Sequence, residues 1–433
     1  MKRFLIFILC FIFSISLHAE NISVIRDTEI ETLLNGYVKK IFKSCGLNPN
    51  NAQVVIVNDE TINAFVAGGQ TIFVHSGLIT HAESADEVVF VLSHETGHIV
   101  GGHVIRGLEQ IKTAQTTTLI SSVLGGLLAV AGGRADAGLA VMMGLNSSAI
   151  SSFMAYRQSE ESAADRTAVD IMEKTGYSLH GFTRTMKELQ RQERLSTVYE
   201  MPYWQTHPIT RERMQNIERF TQKALPPKKD RQFDLARAKL IGFLFPTEQT
   251  RHLYKGISTA DKYARIIADY KDGKINDSLE QLNKLILSSP QNAYFHELKG
   301  QFLFETGQIE QSICAYEKAV HLMPDAPLFH LSLGQVLAEN DKKNYWEKAV
   351  KHLSRAIELD QYMPSAWRLL ASTYGKMDNM PMADYAMSEY YMLIGQTAEA
   401  RKTAKRAIDK ISKKSSAYQH LKDILDILKT PYN

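Results

Sequence analysis

The sequence predicts a mainly α-helical chain built as an α+β domain with a small sheet, followed by an α-solenoid. Three observations support this fold class. A pentapeptide H-E-x-x-H at 94–98 lies in a segment with helical signals, a β-branched and aromatic segment at 71–75 precedes it, and glycines and prolines in the C-terminal half recur at one fixed spacing. With 433 residues, of which 44% are apolar, the chain can bury two separate cores.

The N-terminal segment 1–19 has the organisation of a secretory signal peptide. Lys2 and Arg3 precede an apolar run from Phe4 to Leu17, and Ala19 provides a small residue for cleavage. The run is shorter than the roughly 20 apolar residues that cross a bilayer as a helix. We therefore expect export, cleavage after Ala19, and a mature chain without a stable transmembrane helix.

Charge and cysteine content exclude two classes of protein. Without Lys2 and Arg3, 48 of the 50 basic residues remain beside 47 acidic ones, a balance that gives no electrostatic reason to expect nucleic-acid binding. The mature chain keeps Cys45 and Cys314, which lie in different predicted domains. We expect no disulfide framework; export would permit a single bridge between these two residues, but their places in different predicted domains argue against it.

The segment 63–75 predicts a strand ahead of the H-E-x-x-H helix. Thr71–His75 alternates in character, is rich in β-branched and aromatic residues, and follows Gly68-Gly69. An exposed strand edge in this segment would let an extended peptide add to the sheet by backbone hydrogen bonds. An ordinary core hairpin fits the same residues and is compatible with that interpretation.

His94, Glu95 and His98 form the H-E-x-x-H motif. On a helix, histidines four residues apart lie on one face and can bind a single Zn²⁺, while Glu95 is directed toward the open coordination position as a general base. Acidic residues in the first turn and a Gly-Gly pair at the end delimit a buried helix over 86–102. The alternative is a buried helix whose histidines only satisfy hydrogen bonds.

A catalytic zinc site needs a third protein ligand. His103 misses the longer H-E-x-x-H-x-x-G-x-x-H pattern by one residue, so we expect it on the surface or behind a ligand rather than on the metal. The better candidate is Glu161, on a helix predicted over 153–173. Glu160 is the alternative, because a slip of one residue turns the side chain by about 100°.

Asp165 lies one helical turn after Glu161 and shares its face. It can accept the outer N–H of a ligand histidine, which fixes the tautomer and raises the basicity of that ligand. The competing interpretation is that Arg157, Glu161 and Asp165 are ion-pairing partners on a helix surface.

Residues 119–145 form an apolar segment rich in glycine between these two helices. Its longest run, 119–133, is too short to span a bilayer. We predict a hydrophobic hairpin, which acts either as a lid with peripheral membrane contact or as a core helix pair.

Repeat spacing predicts the solenoid. The same residue recurs at one constant spacing in three pairs, namely Gly273 and Gly307, Pro290 and Pro324, and Gly300 and Gly334. This spacing, about 34 residues, is the length of a tetratricopeptide repeat, whose helical pairs must stack to bury their apolar faces and thereby form a concave surface. Such a surface binds segments of other proteins; the alternative is that the array only caps the first domain.

Domain boundaries follow from these segments. Pro226-Pro227 interrupts helical periodicity, and an apolar segment after it predicts a connecting helix. We predict a metal-binding domain over 20–225, a linker and connecting helix over 226–257, and repeats over 258–425.

Four stretches of the sequence together resemble one family. H-E-x-x-H at 94–98 followed by E-x-x-A-D at 161–165 resembles the gluzincin peptidases, in the family that includes the heat-shock protease HtpX and the CAAX-processing endopeptidase. The segments 63–74 and 206–213 resemble two further motifs of that family, the edge strand that aligns substrate and a T-H-P-x-x-x-x-R segment.

The resemblance implies a zincin-type metallopeptidase with one Zn²⁺ per chain. It implies His94, His98 and Glu161 as ligands and Glu95 as general base, with Asp165 and Arg213 supporting the site. His207 would either stabilise the transition state or occupy the fourth metal position as a self-inhibiting plug.

An exported peptidase of this family followed by tetratricopeptide repeats is similar to periplasmic bacterial members that degrade stalled or misfolded outer-membrane proteins and help to assemble them. By that resemblance we expect a periplasmic location, unfolded or misfolded envelope proteins as substrates, and the outer-membrane assembly machinery as the partner of the repeats. The alternative is a noncatalytic or latent periplasmic chaperone or adaptor.

Overall fold

The computed structural model describes residues 12–13, 23–67, 69–103, 147–195, 207, 210–221, 224, 226–340 and 342–429. The apolar segment 119–145 and nearly all of the predicted signal peptide lie outside these residues. No helix within the described part of the chain is both long enough and apolar enough to cross a membrane.

The chain divides into two compact units, one mainly over Glu29–Leu244 and the other mainly from Phe245 to the C-terminus. The first combines helices with a small mixed sheet, and the second consists of helical pairs. The predicted fold class is therefore confirmed. The division falls inside the predicted linker, and the helix Arg231–Leu244 contributes Phe233, Ala236 and Leu240 to the core of the first unit.

The described residues form five strands: β1 (Ile12–Phe13), β2 (Val24–Ile25), β3 (Gln53–Val57), β4 (Ala64–Ala67) and β5 (Thr71–His75). Strand β5 pairs in parallel with β3 and antiparallel with β4, and β2 pairs antiparallel with β3. The last four of these strands lie in the order β2-β3-β5-β4, which leaves β4 at an edge of the sheet. The strand predicted at 71–75 is present, but it is an inner strand with neighbours on both sides, so the exposed edge of the segment is Ala64–Ala67.

Seven helices belong to the described part of the first unit: α1 (Thr28–Ser44), α2 (Ser76–His81), α3 (Ala85–Val100), α4 (Ser147–Thr175), α5 (His180–Leu195), α6 (Arg211–Thr221) and α7 (Arg231–Leu244). Helix α3 is buried from Ala85 to His98, which explains its run of apolar residues. Ser84 and Glu87 form a capping box that satisfies its first N–H groups. The H-E-x-x-H residues therefore stand on a helix held inside the core, and their positions are set by packing.

Gly97 determines how closely α3 approaches α4. A Cβ atom at this position would lie 2.9 Å from both the Cα and the carbonyl oxygen of Ala164. Because both of these are backbone atoms, the neighbouring helix could not yield by rotating a side chain. The small pair Gly97 and Ala164 therefore lets the two helices carry metal-binding side chains to a common centre.

We expect Gly97→Val to destabilise the first unit by about 1 to 3 kcal/mol, because overpacking forces the backbone of α4 to move. Urea unfolding followed by circular dichroism measures the effect. The matched control is Gly36→Ala in α1, where an added Cβ meets nothing within 4 Å. Alanine is the better helix former by up to about 1 kcal/mol, so the control is expected to be neutral or stabilising. Equal stability of Gly97→Val and wild type would contradict this packing argument.

Eleven helices form the described part of the second unit: α8 (Thr247–Leu253), α9 (Thr259–Lys271), α10 (Ile275–Ser288), α11 (Ala293–Glu305), α12 (Ile309–Leu322), α13 (Pro327–Ala338), α14 (Lys343–Leu359), α15 (Pro364–Lys376), α16 (Met380–Leu393), α17 (Thr397–Ile408) and α18 (Ser416–Ile427). Gly273 and Gly307 end helices with φ of +80° and +77°, values that favour glycine. Gly300 instead gives room to the ring of Tyr316, 2.8 Å from where a Cβ would be. The repeat period seen in the sequence thus reflects one turn and one close helix crossing in each repeat.

Candidate metal centre

The candidate site lies between α3 and α4 and is closed by residues that follow α5. Its side chains are almost fully buried, with exposed fractions of 8% or less: His94, Glu95 and His98 from α3, Glu161 and Asp165 from α4, His207, and Arg213 from α6. The structure thus brings together residues that are more than 100 positions apart in the sequence.

Four side chains converge on one point. The Nε2 atom of His94 lies 3.1 Å from Nε2 of His98 and 3.2 Å from Oε2 of Glu161. Nδ1 of His207 lies 3.0 Å from Oε1 of Glu161 and 3.3 Å from Nε2 of His94. One ligand atom from each of the four falls within 4.8 Å of the others. Lone pairs directed at each other in a buried space repel unless they share a cation, so this donor set fits a metal ion.

The pKa shifts of His94 and Glu161 also indicate that this site fits a metal ion. Burial by itself would lower the pKa of His94, but hydrogen bonds to Asp165 and Glu161 outweigh it and raise that pKa to about 9. Burial would raise the pKa of Glu161, yet the neighbouring His207 and His94 hold it well below its usual value. The site therefore attracts positive charge strongly, and a metal ion would take the place of the proton on His94.

His98 differs from His94 in its charge preference. Burial and the positive charge of His94 hold the pKa of His98 well below its usual value. A neutral imidazole is the form that binds a metal. His98 is thus already in the protonation state that a ligand requires.

Asp165 and Arg213 hold the outer side of the site. Nδ1 of His94 donates to Oδ1 of Asp165 at 2.9 Å, and Arg213 donates to both Asp165 oxygens, from Nε at 2.7 Å and Nη2 at 2.9 Å. Nη1 of Arg213 also lies 3.0 Å from Oε2 of Glu161. Although burial would raise the pKa of Asp165, the charge of Arg213 and the contact with His94 keep it lowered. Arg213 therefore contributes to keeping the buried carboxylate of Asp165 ionised.

The structure gives each remaining candidate a position. Glu161 belongs to the converging group and Glu160 does not. Nε2 of His207 lies 3.5 Å from Oε1 of Glu95, which places this imidazole between Glu95 and the other donors. His103 is buried and not on the surface, and its Nδ1 lies 2.8 Å from Nδ1 of His98. Cys45 and Cys314 are not joined by a disulfide.

Sequence reasoning did not single out the narrow crossing at Gly97, and it did not decide between a surface position of His103 and its burial behind a ligand. A glycine inside an otherwise good helix is a signal for the first. The Gly101-Gly102 pair just before His103 is a signal for the second, since it permits a sharp return of the chain.

A buried H-E-x-x-H helix, a carboxylate from a second helix and a following array of helical pairs define a metallopeptidase with tetratricopeptide repeats. Residues 27–221 match the model of Peptidase family M48, and residues 300–341 match the TPR repeat. The first of these segments therefore matches the M48 metallopeptidases and is followed by such repeats, in agreement with the family that the motifs resemble.

Two relatives extend over most of the chain. It is 24% identical over 386 residues to the beta-barrel assembly-enhancing protease of Yersinia pestis, covering 86% of this chain and 78% of the relative. It is 22% identical over 356 residues to the protein of the same name from Escherichia coli (strain K12), covering 80% and 72%. A solved structure, that of YrrB, a TPR protein with an unusual peptide-binding site, aligns with 41% of this chain and 92% of its own at 15% identity and a TM-score of 0.33.

Proposed function

We propose that the protein is an exported zinc metalloendopeptidase that hydrolyses peptide bonds in misfolded or stalled outer-membrane proteins of the bacterial envelope. The observation that carries the proposal is the buried convergence of His94, His98 and Glu161, with Glu95 on the same helix. The substrate class is supported by the name of the relatives that match most of the chain, and the periplasmic location also by the signal-like N-terminus.

Zinc is the metal that this donor set suits best. Two imidazoles and one carboxylate form the protein part of catalytic sites in several zinc peptidases, which leave the fourth position for water or substrate. The set contains no thiolate, and its nitrogen donors disfavour magnesium and calcium. We therefore propose one Zn²⁺ per chain, bound by His94, His98 and Glu161.

In the proposed reaction a water molecule adds to the scissile carbonyl and the peptide is divided into two. Bound zinc supplies Lewis-acid polarisation and lowers the pKa of water toward neutrality. Glu95 accepts a proton from the attacking water on a carboxylate oxygen and then gives it to the departing amine nitrogen. Asp165 holds the N–H of His94 on Nδ1, so that the lone pair of Nε2 is directed into the site.

Substrate would bind along β4. This edge strand packs on α3, and its unpaired backbone groups can bind an extended peptide as a further strand.

Metal removal tests the proposal directly. We expect purified mature protein to contain about one zinc ion per chain and to degrade unfolded casein, and we expect 1,10-phenanthroline to abolish the degradation. Restoring stoichiometric Zn²⁺ should restore activity, because the chelator removes the Lewis acid and leaves the fold of the repeats in place. Elemental analysis and fluorescent casein hydrolysis are the measurements. Cleavage that survives complete removal of the metal would contradict the assignment.

A latent form of the enzyme is the second candidate, favoured by the position of His207. Its imidazole lies within the donor group and beside Glu95, where the attacking water would have to be. As a fourth ligand it would close the tetrahedral site, as in structural zinc sites. In this state the protein would act as a chaperone or adaptor through its repeats until a client or partner displaces His207 from the site.

We expect His207→Ala to raise casein cleavage by about 10- to 100-fold if the open state of the wild type is populated at about 1 to 10%. Zinc content should stay near one per chain. His180→Ala, which removes an exposed histidine from the start of α5, is the matched control and should leave the rate unchanged. A large fall in cleavage with zinc retained would instead assign His207 to transition-state stabilisation.

The repeat array would provide the docking surface for clients or for the outer-membrane assembly machinery. Support comes from the tetratricopeptide repeats, because such stacked helices form concave surfaces that bind protein segments. Further support comes from the name of the relatives from Yersinia pestis and Escherichia coli. Peripheral membrane contact through 119–145 remains a prediction from the sequence.

A further inference from the structure

A tight turn follows α3 and returns the chain to the helix end. Gly102 has a φ of +63°, in the left-handed region that favours glycine. Gly101 has a φ of −67°, which any residue can adopt, but a Cβ there would lie 2.3 Å from the ring nitrogen Nε2 of His103, so the ring would have to move. The two glycines thus allow the imidazole of His103 to lie against the end of α3, where it is 8% exposed.

The returned ring contacts His98 on the side away from the converging group. Nδ1 of His103 lies 2.8 Å from Nδ1 of His98, while Nε2 of His98 faces Nε2 of His94 at 3.1 Å and Oε1 of Glu161 at 3.4 Å. In a nitrogen-to-nitrogen contact one ring must donate and the other accept. If Nε2 of His98 binds a metal, its proton is on Nδ1, and His103 is the acceptor.

We propose that His103 is a positioning residue, which fixes the ring orientation and tautomer of His98 for metal binding. The inference rests on the proposed zinc site. The two ligand histidines then have different hydrogen-bond acceptors, since His94 donates to the ionised Asp165 and His98 donates to the neutral imidazole of His103. A neutral acceptor orients the ligand without adding a fourth carboxylate to a site that already contains Glu95, Glu161 and Asp165.

The test measures zinc affinity and not only activity. Competition with a chromophoric chelator is expected to show that His103→Ala binds Zn²⁺ about 10- to 100-fold more weakly than wild type, the usual effect of losing a partner of a ligand. His103→Gln keeps an acceptor and similar volume and is expected to recover most of the affinity. His180→Ala is the control for removing a histidine. The visible spectrum of the Co²⁺-substituted protein should change in His103→Ala and stay close to that of wild type in His103→Gln.

The outcomes separate this inference from the proposed function. A wild-type protein that binds no zinc overturns both. A wild type that binds zinc, together with a His103→Ala variant of equal affinity, overturns the positioning role alone. If His103→Ala does not fold, Gly101→Ala serves instead, because its methyl group must displace the ring of His103; unchanged zinc affinity in that variant also overturns the inference.

Positive charge is concentrated on α17 and the turn that follows it, in the second unit of the chain. Residues 401–414 contain one acid, Asp409, and seven exposed cations: Arg401, Lys402, Lys405, Arg406, Lys410, Lys413 and Lys414. We call these seven residues the basic surface. The positions between them on α17, such as Ala400, Ala404 and Ala407, are fully buried, so the cations of this helix share its outer side.

Most of this charge is not neutralised. Arg406 pairs with Asp384, and Lys402 lies 3.7 Å from Glu399. For the other five, the described residues contain no ion-pair partner within 4.0 Å. The chain as a whole is nearly neutral, so this concentration is a local feature.

We infer that the basic surface binds anionic lipid headgroups at a membrane surface. Its cations are mostly lysines, exposed and held by few hydrogen bonds, which suits a dispersed layer of phosphates better than one ordered acidic peptide. Each basic residue near an anionic membrane adds to the attraction, and clusters of this size are typical of surfaces that attach reversibly to anionic lipids.

Sedimentation of the full mature chain with phosphatidylcholine vesicles, with and without phosphatidylglycerol, tests the inference. We expect binding only to the anionic vesicles and release by high salt. Charge reversal of Lys405, Lys410, Lys413 and Lys414 to glutamate should lower partitioning about 100-fold or more. The matched control reverses four exposed lysines elsewhere: Lys228, Lys229, Lys255 and Lys318. Equal binding by both variants overturns the inference, as does retention on polyglutamate with no vesicle binding, which would indicate an acidic protein as the partner.

Discussion

Glu95→Gln is expected to lower the rate of proteolysis by about 100- to 10,000-fold while zinc content stays near one per chain. Glutamine has the shape of glutamate but cannot accept the proton of the attacking water, and general acid–base catalysis is worth about that factor. Glu95 is 2% exposed on α3 and is not one of the four converging donors, so the substitution should leave the metal ligands in place. Single-turnover cleavage of fluorescent casein and elemental analysis of the same preparation measure the two effects.

Glu173→Gln is the matched control, because Glu173 is an exposed glutamate on α4, outside the site. It should cleave casein at the wild-type rate. Unchanged cleavage by Glu95→Gln would remove Glu95 as the general base. Loss of cleavage together with loss of zinc would show instead that Glu95 is needed to build the site.

The largest effect on stability is expected from Arg213→Met, at about 3 to 5 kcal/mol. Arg213 is 2% exposed and contacts the carboxylates of both Asp165 and Glu161. Removing one member of a buried ion pair leaves the other charge without compensation, which is far more costly than losing an exposed pair. Urea unfolding of the zinc-bound protein, monitored by circular dichroism, measures the change. Zinc affinity should fall as well, because Asp165 would no longer be held against His94.

Arg211→Met supplies the comparison, since Arg211 is exposed and lies two positions earlier on α6. It should change stability by no more than about 0.5 kcal/mol. Adding Asp165→Asn to Arg213→Met should recover part of the lost stability, because it removes one of the two uncompensated charges. If Arg213→Met and Arg211→Met unfold at the same urea concentration, the buried network does not stabilise the domain.

The parts of the site that could be inferred from sequence are those set by local helical geometry. His94 and His98 are four residues apart, as are Glu161 and Asp165, so each pair shares a helix face wherever the helix packs. The choice of Glu161 over Glu160 followed from the same geometry together with family resemblance. The assignment of roles to these residues is a proposal that the Glu95 and metal experiments test.

The solenoid was predictable for a related reason. Each repeat needs a turn that glycine permits, as at Gly273 and Gly307, and a close crossing, as at Gly300. Both requirements recur with the repeat and are visible in the sequence. Contacts between neighbours in sequence are sufficient to specify such an array.

Strand order was not predictable in this way. The segment 71–75 has the composition of a strand, but whether it lies inside the sheet or at its edge depends on hydrogen bonds with β3, which an earlier segment of the chain forms. The structure places β4 at the edge instead. Burial of His103 depends in the same way on a return of the chain at Gly101 and Gly102.

The amino-acid sequence by itself determined which side chains share a helix face and that the C-terminal half contains helical repeats, because these features depend on periodicities of a few residues or on a fixed repeat length. Only the tertiary structure decided which strand edge is open, that His103 supports His98, and that His207 lies between Glu95 and the ligands. Apart from the local turn that brings His103 to His98, these contacts join segments that are distant in sequence and meet through packing, as at the close crossing of α3 and α4 at Gly97.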